Sequence, residues 1–196
     1  MRLTSLALTA ATLFATLPAH AAAMPTLEQI HAAVQAGVAK TQAKTQSSMP
    51  FAVKVTSLAG CQDSQEVQGE VVCLVSMSAG MRDGYMVLPL RLENGTWVGV
   101  ERKHAKFAGP SPAEAQAMMR AWAGDEVARN PEAAKDPQMQ EALTSMQVTA
   151  INECEVKRQT GYLVCDTVLS VPSRPDGIKT EFTFKLDKAA WQYVPR

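Results

Sequence analysis

Apolar and polar positions alternate with two different periods along this chain, and the change from the longer to the shorter period occurs twice. After residue 26 the apolar side chains recur at the spacing of a helix, at Leu27, Ile30, Val34 and Val38. Thr26 and, three residues later, Gln29 form a capping box that predicts the start of this helix. The apolar stripe predicts that the helix packs against a core.

A second helical stretch begins at Ser111. Ser111-Pro112 and Glu114 form another capping box, with proline at the first helical position. The apolar positions on its predicted inner side are Ala115, Met118, Met119 and Trp122. Asn130-Pro131 interrupts this helix, and Asp136-Pro137 predicts a further short helix that contributes to the same core.

The residues after each helix alternate as half-buried strands do, most clearly from residue 178 to residue 186. Three pairs lie between strand candidates and supply the positive-φ positions of tight hairpins: Asp83-Gly84, Asn94-Gly95 and Asp176-Gly177. The strands are therefore expected to form antiparallel meanders. Pro89 falls in a strand that a meander places in its interior, so we expect a bulge or frayed pairing there.

The two halves also match in sequence around their cysteines. Val55-Thr56 stands before Cys61 as Val148-Thr149 stands before Cys154. Gly69 to Cys73 likewise matches Gly161 to Cys165, and Trp97 matches Trp191. We therefore predict an α+β fold of two tandem repeats, residues 22–108 and residues 109–196, each with an N-terminal helix packed on a four-stranded antiparallel meander. Whether the repeats share one core stays open.

The four cysteines are assigned by the alternation of the strands. Counting by twos along the apolar positions reaches Cys61 and Cys73 in the first half, and Cys154 and Cys165 in the second. Both thiols of each pair then face the core. We predict the disulfides Cys61–Cys73 and Cys154–Cys165, which cross-link neighbouring strands and have a structural role.

Residues 1–21 have the parts of a secretory signal peptide. Arg2 precedes an apolar run from Leu6 to Leu17, and Ala19-His20-Ala21 fits a cleavage site. The apolar run is too short to cross a bilayer. We expect an exported protein, periplasmic or secreted, with no membrane insertion and with oxidised cysteines.

Charge and candidate chemistry exclude several classes of function. The 19 basic and 19 acidic residues leave no net charge to attract nucleic acid or an anionic membrane. Outside the signal peptide the histidines are His31 and His104, and no nucleophile, zinc or phosphate-loop motif surrounds them. Met77 and Met86 fall on inward positions and are expected in the core rather than around copper. We expect no catalysis, no cofactor and no metal.

The first hairpin carries a short motif, since Gln65-Glu66-Val67-Gln68-Gly69 fits the pattern Q-x-V-x-G. This motif, and a helix followed by this hairpin and a second hairpin with a tryptophan, Asn94-Gly95-Thr96-Trp97, resemble the cystatins. The resemblance implies a loop that enters the cleft of a papain-like cysteine protease. The second half has Lys157-Arg158-Gln159-Thr160-Gly161 in its place.

A binding or inhibitory protein, including the immunity proteins that neutralise a toxin, agrees best with these features. In a four-stranded meander the first and third turns lie at one end of the sheet. A partner is therefore expected to contact Gln65, Val67, Gly69 and Trp97, with Trp97 serving either the interface or the core. A small-ligand carrier, with a pocket between helix and sheet near Met118, Trp122 and Phe184, is the alternative.

Overall fold

A computed structural model describes residues 24–46, 51–172 and 174–195, so the predicted signal peptide lies outside the described residues. The elements of the first half are α1 (Leu27–Thr45), β1 (Val53–Asp63), β2 (Glu70–Ala79), β3 (Arg82–Glu93) and β4 (Thr96–Gly99). Those of the second half are α2 (Pro112–Arg129), a 3₁₀ turn (Pro131–Lys135), α3 (Pro137–Thr144), β5 (Gln147–Val156), β6 (Leu163–Val171), β7 (Arg174–Asp187) and β8 (Ala190–Val194). Each half contains one four-stranded antiparallel sheet with its strands in chain order, which confirms the α+β class. We call these the first and second sheets.

Both predicted capping boxes are present. The hydroxyl of Thr26 accepts the N–H of Gln29 at 3.3 Å, and that of Ser111 accepts the N–H of Glu114 at 3.2 Å. Asp136 caps α3 without a capping box, since its side chain accepts the N–H of Gln138 at 2.8 Å. These local hydrogen bonds satisfy backbone donors that a helix leaves free in its first turn, which explains why the helices begin there.

Both predicted disulfides are present as well. Cys61 lies directly opposite Cys73 in the β1–β2 ladder, and Cys154 opposite Cys165 in the β5–β6 ladder. Among the described residues no cysteine is free. Each bond therefore cross-links the first two strands of one sheet.

Two of the predicted turns are wrong. The β2–β3 turn is Gly80-Met81, so Asp83-Gly84 lies within β3, and Asp176-Gly177 lies within β7 beside a shift in the β6–β7 register. At Gly84 the missing side chain leaves room for the β5–β6 turn, because a Cβ there would lie 2.8 Å from the Arg158 side chain. Asn94-Gly95 does form the β3–β4 turn, with φ of 49° and 79°.

The expected bulge at Pro89 is absent. The β2–β3 register runs through Pro89 without a shift, and the carbonyl of Pro89 accepts the N–H of Val100 at 3.0 Å. That carbonyl points away from β2, so the missing N–H also falls on the side of β4. Because β4 ends at Gly99, the proline interrupts no ladder.

The first sheet is buried on both faces. On one face α1 covers a cluster to which Val71, Cys73, Val75, Leu90 and Trp97 contribute. From the other face Val72 and Leu74 enter the core of the second half, where they pack with the buried Phe107, Leu163 and Phe184. One hydrophobic cluster thus combines residues of both halves. The expectation for Met86 was wrong, because it is 45% exposed at the border of the α1 cluster.

Candidate functional site

The loop between β1 and β2 is exposed and ordered by local hydrogen bonds. Gln65 and Gly69 are exposed, and Val67 is half-buried. The hydroxyl of Ser64 accepts the backbone N–H of Glu66 at 3.3 Å and that of Val67 at 3.2 Å. Gly69 has a φ of +79°, which a glycine adopts without strain. These contacts give the loop one defined shape.

Three charged side chains, Glu70, Arg91 and Arg102, support this loop. Glu70 is almost fully buried and pairs with Arg91 at 2.7 Å and with Arg102 at 3.1 Å. Arg102 also donates to the carboxylate of Glu66, and at 3.4 Å to the hydroxyl of Ser64. A buried carboxylate needs such partners, because leaving one unpaired costs several kcal/mol, about 3–5 when a partner is removed. The loop is thus tied to β3 and to the segment that joins the two halves.

The sequence analysis did not find this group. Arg102 lies in a short basic run, Arg102 to Lys106, that has no regular structure and gives no local sign of pairing with residues more than thirty positions earlier. The opposite charges of Glu70 and Arg91 were visible in the sequence. Their contact depends on the register of β2 against β3, where the two residues are direct partners.

Trp97 is too deeply buried to serve as an interface anchor. The strand order brings the β1–β2 and β3–β4 turns to the same end of the first sheet, as predicted. The side chain of Trp97, however, is only 6% exposed and belongs to the cluster under α1. In this structure Trp97 therefore serves the core. The remaining candidates are the exposed Gln65 and Gly69 and the half-buried Val67.

A cleft of about 470 Å³ with a mixed polar and apolar lining adjoins the loop. Its walls are β1 and the loop, the segment from Lys106 to Pro112, and β5 from Ile151 to Cys154. Lys106 and Glu153 form an ion pair of 2.7 Å across it; this hydrogen bond and the opposite charge raise the pKa of Lys106 and lower that of Glu153. Both side chains are solvent-exposed, so the pair adds little stability.

The small-ligand alternative placed a pocket between helix and sheet near Met118, Trp122 and Phe184, where aromatic side chains pack in the structure. Phe184 is fully buried, and Trp122 contacts Tyr193 edge-on at 5.5 Å between ring centroids. An apolar groove lies instead beside α1 in the first half. It has a volume of about 270 Å³ and is lined by residues that include Val34, Val38, Met77, Met86 and Leu88.

His31 and His104 do not belong to the loop between β1 and β2. His31 is half-buried on α1, and His104 is exposed in the joining segment with a φ of 58°. Within residues 24–46, 51–172 and 174–195, no group of three His, Cys, Asp or Glu side chains is arranged to hold a metal ion.

Comparison with protein-family models and with curated proteins finds no match for this chain. None of the helices in the described ranges is both long and apolar enough to cross a membrane.

Proposed function

We propose that this chain is an exported, non-catalytic binding or inhibitory protein that acts through a protein–protein surface at the β1–β2 loop. The observation that carries the proposal is the buried support of an exposed loop by Glu70, Arg91 and Arg102. A loop that is ordered before it meets a partner loses less conformational entropy on binding, which favours tight association. A scaffold with two disulfides suits an oxidising compartment such as the periplasm.

The proposal includes a tandem origin of the two halves, residues 22–108 and 109–196. It is supported by a helix followed by four antiparallel strands in each half, although the second half has a 3₁₀ turn and α3 between them, and by a disulfide at the same place in each sheet. The two sheets differ in their packing. Among the described residues, the first sheet contributes side chains to both hydrophobic clusters and the second sheet contributes to one.

The test is recovery of a partner by the tagged protein from the periplasm of its own source, followed by mass spectrometry. A stoichiometric protein partner is expected to lose affinity by more than about 1 kcal/mol with Val67→Asp and with Gln65→Ala. Asp83→Ala, on a strand away from the loop, is the matched control. Binding that is insensitive to both loop variants would refute the loop as the contact surface, provided that melting temperatures are unchanged.

The class of protein that binds would distinguish a cystatin-like inhibitor from an immunity protein. A papain-like protease inhibited by the protein, with loss of inhibition in Val67→Asp, would favour the cystatin-like form. A toxin neutralised by the protein would favour an immunity protein. Neither outcome requires catalysis by this chain.

A small-ligand carrier is the second candidate, and the observation that favours it is the apolar groove beside α1. A molecule that copurifies with the protein and is displaced when Val38→Trp fills the groove would support it. A groove that takes up no apolar fluorescent probe would exclude this site.

A further inference from the structure

One face of β3 changes from apolar to basic along the strand. The β2–β3 register runs without a shift, so Arg82, Gly84, Met86 and Leu88 all lie on the same face of the first sheet. Val75 is the direct partner of Met86 and belongs to the cluster under α1, which identifies this face as the one that α1 packs against. This face is therefore apolar at Leu88 and Met86 and carries a cation at Arg82.

The apolar part of this face borders the groove beside α1. The helix contributes Val34 and Val38 to the groove, and the sheet contributes Met77, Met86 and Leu88. Among the described residues that line it, only Thr41 and Glu101 have polar side chains. Methionine side chains are unbranched and adapt to the shape of a bound molecule. The groove therefore suits an apolar chain.

A second cavity, of about 370 Å³, adjoins this groove. Met77 and Met86 line both the groove and the second cavity. The second cavity is also lined by Arg82 and Arg158, so we call it the arginine cavity. A chain molecule that lies along the two methionines would have one end in the groove and the other end beside the arginines.

Arg158 reaches the arginine cavity from the β5–β6 turn of the second half. Its carbonyl accepts the N–H of Tyr85 at 2.7 Å. A Cβ added at Gly84 would lie 2.8 Å from the Arg158 Cγ and 3.1 Å from its Nε. Glycine at position 84 thus lets the Arg158 side chain lie on the face of the first sheet that carries Arg82 and Met86.

The charges favour an anion at the arginine cavity. Arg82 and Arg158 are both exposed, and neither has an ion pair within the described residues. Of the residues that the structure describes around the arginine cavity, none is acidic, whereas Glu101 lines the groove. A guanidinium presents its N–H donors in a fork that matches a carboxylate. A ligand with one negative end is therefore favoured with that end at the arginines and its apolar part in the groove.

We propose that the groove beside α1 and the arginine cavity together bind the anion of a long-chain fatty acid. The alkyl chain lies between α1 and Met86, where it is removed from water, and the carboxylate accepts hydrogen bonds from Arg82 and Arg158. The inference rests on the small-ligand carrier of the proposed function, whose groove it shares, and adds the class of ligand and the residues that select it. It does not involve the β1–β2 loop.

The probe is dodecanoate, kept below the concentration at which it forms micelles and added to protein with ¹³C-labelled methionine methyl groups. We expect saturable NMR shifts of the Met77 and Met86 methyl groups, with no shift of Met119, which is buried in the core of the second half. Octanoate should bind at least about tenfold more weakly, because it removes fewer methylene groups from water. Dodecyltrimethylammonium, which has the same chain and a cationic head, should also bind at least about tenfold more weakly.

Arg82→Gln and Arg158→Gln test the recognition of the carboxylate. Because both side chains are exposed and outside ion pairs, the melting temperature should not change. Affinity for dodecanoate should fall about three- to tenfold in each variant and further in the double variant, whereas affinity for dodecyltrimethylammonium should not fall. Arg120→Gln, at an exposed position on α2, is the matched control and should bind dodecanoate as the parent does.

The outcomes separate this inference from the carrier candidate. Equal affinity for dodecanoate and dodecyltrimethylammonium, or no loss of affinity in the double arginine variant, would refute the fatty-acid inference and leave the groove as a site for other apolar molecules. No shift of either methyl group at the highest dodecanoate concentration below micelle formation would refute both. Val38→Trp fills the groove and should abolish the shifts of Met77 and Met86; unchanged dodecanoate binding in this variant would place the ligand elsewhere and overturn the proposal.

Discussion

Gly69 and Gly161 close the first hairpin of each sheet with the same backbone conformation but in different surroundings. Their φ angles are +79° and +72°. A Cβ added at Gly69 would meet nothing within 4 Å, whereas one at Gly161 would lie 2.5 Å from the ring of Tyr85 in the other half. The positive φ favours glycine at both positions. The close approach of Tyr85 from the other half is a second reason for glycine, and it applies only at Gly161.

Alanine substitutions at these two glycines should separate the two effects. Gly69→Ala is expected to lower the free energy of unfolding by about 1 kcal/mol, the cost of a positive φ for a residue with a side chain. Gly161→Ala should lower it by about 1–3 kcal/mol more, because the new methyl group displaces Tyr85. Urea denaturation of both variants measures the difference. Equal losses would mean that the halves do not pack at this point as described.

At the scale of single elements, short-range hydrogen bonds determine where the helices begin. In the capping box of α2 the hydroxyl of Ser111 donates to the Glu114 carboxylate at 2.7 Å, and the Ser111 N–H donates to it at 2.8 Å. These two hydrogen bonds lower the pKa of Glu114 below its ordinary value of 4.5. The carboxylate is therefore more stable in the folded protein than in the unfolded chain.

Ser111→Ala should destabilise the protein by about 1 kcal/mol at neutral pH and raise the pKa of Glu114 toward its ordinary value. Because the folded-state pKa is the lower one, the stabilisation is complete above the unfolded pKa and disappears as the pH falls through the folded pKa. The difference in stability between Ser111→Ala and the parent should thus be smaller at pH 2 than at pH 6. NMR titration of Glu114 and urea denaturation at both pH values measure these effects. Glu114→Gln, which keeps a capping box as in α1, should remove this contribution to the pH dependence.

The strands explain why a simple count along the sequence assigned the disulfides correctly. β1 has two one-residue register shifts against β2, after Val55 and after Leu58, and β5 has two against β6. One shift moves every later side chain to the other face of a strand, and a second shift moves it back. The cysteines therefore kept the predicted facing, although the strands are not regular.

At the scale of the whole molecule, β2 connects two hydrophobic clusters. Leu74 and Val75 are adjacent and both fully buried, but Leu74 packs in the cluster of the second half and Val75 in the cluster under α1. The first sheet thus lies between α1 and the second half. Its burial on both faces makes the stability of the second half depend on a residue of the first.

Truncation of these neighbours should show this arrangement. Leu74→Ala is expected to lower the free energy of unfolding by about 2–5 kcal/mol and to speed hydrogen exchange in β6 and β7. Val75→Ala should cost less, since it removes fewer atoms, and should speed exchange mainly in α1 and β4. Hydrogen exchange with mass spectrometry distinguishes the two patterns. If Leu74→Ala left the second sheet unaffected, the two halves would not share a core.

The sequence by itself determined the features that depend on neighbouring residues. The capping boxes at Thr26 and Ser111, the Asn94-Gly95 turn and the antiparallel strands after each helix follow from local hydrogen bonds, backbone preferences and alternation. Disulfide pairing followed too, because the cysteines lie only 12 and 11 residues apart on adjacent strands.

Tertiary structure decided what depends on distant parts of the chain. Gly84 resembles a turn residue in sequence but lies within β3 because Arg158 passes over it, and Trp97 is buried because α1 covers its face of the sheet. The buried partnership of Glu70 with Arg102 joins residues on separate elements. β4 pairs with only the last four residues of β3, Leu90–Glu93, and no local pattern of residues determines how much of the β3 edge is covered.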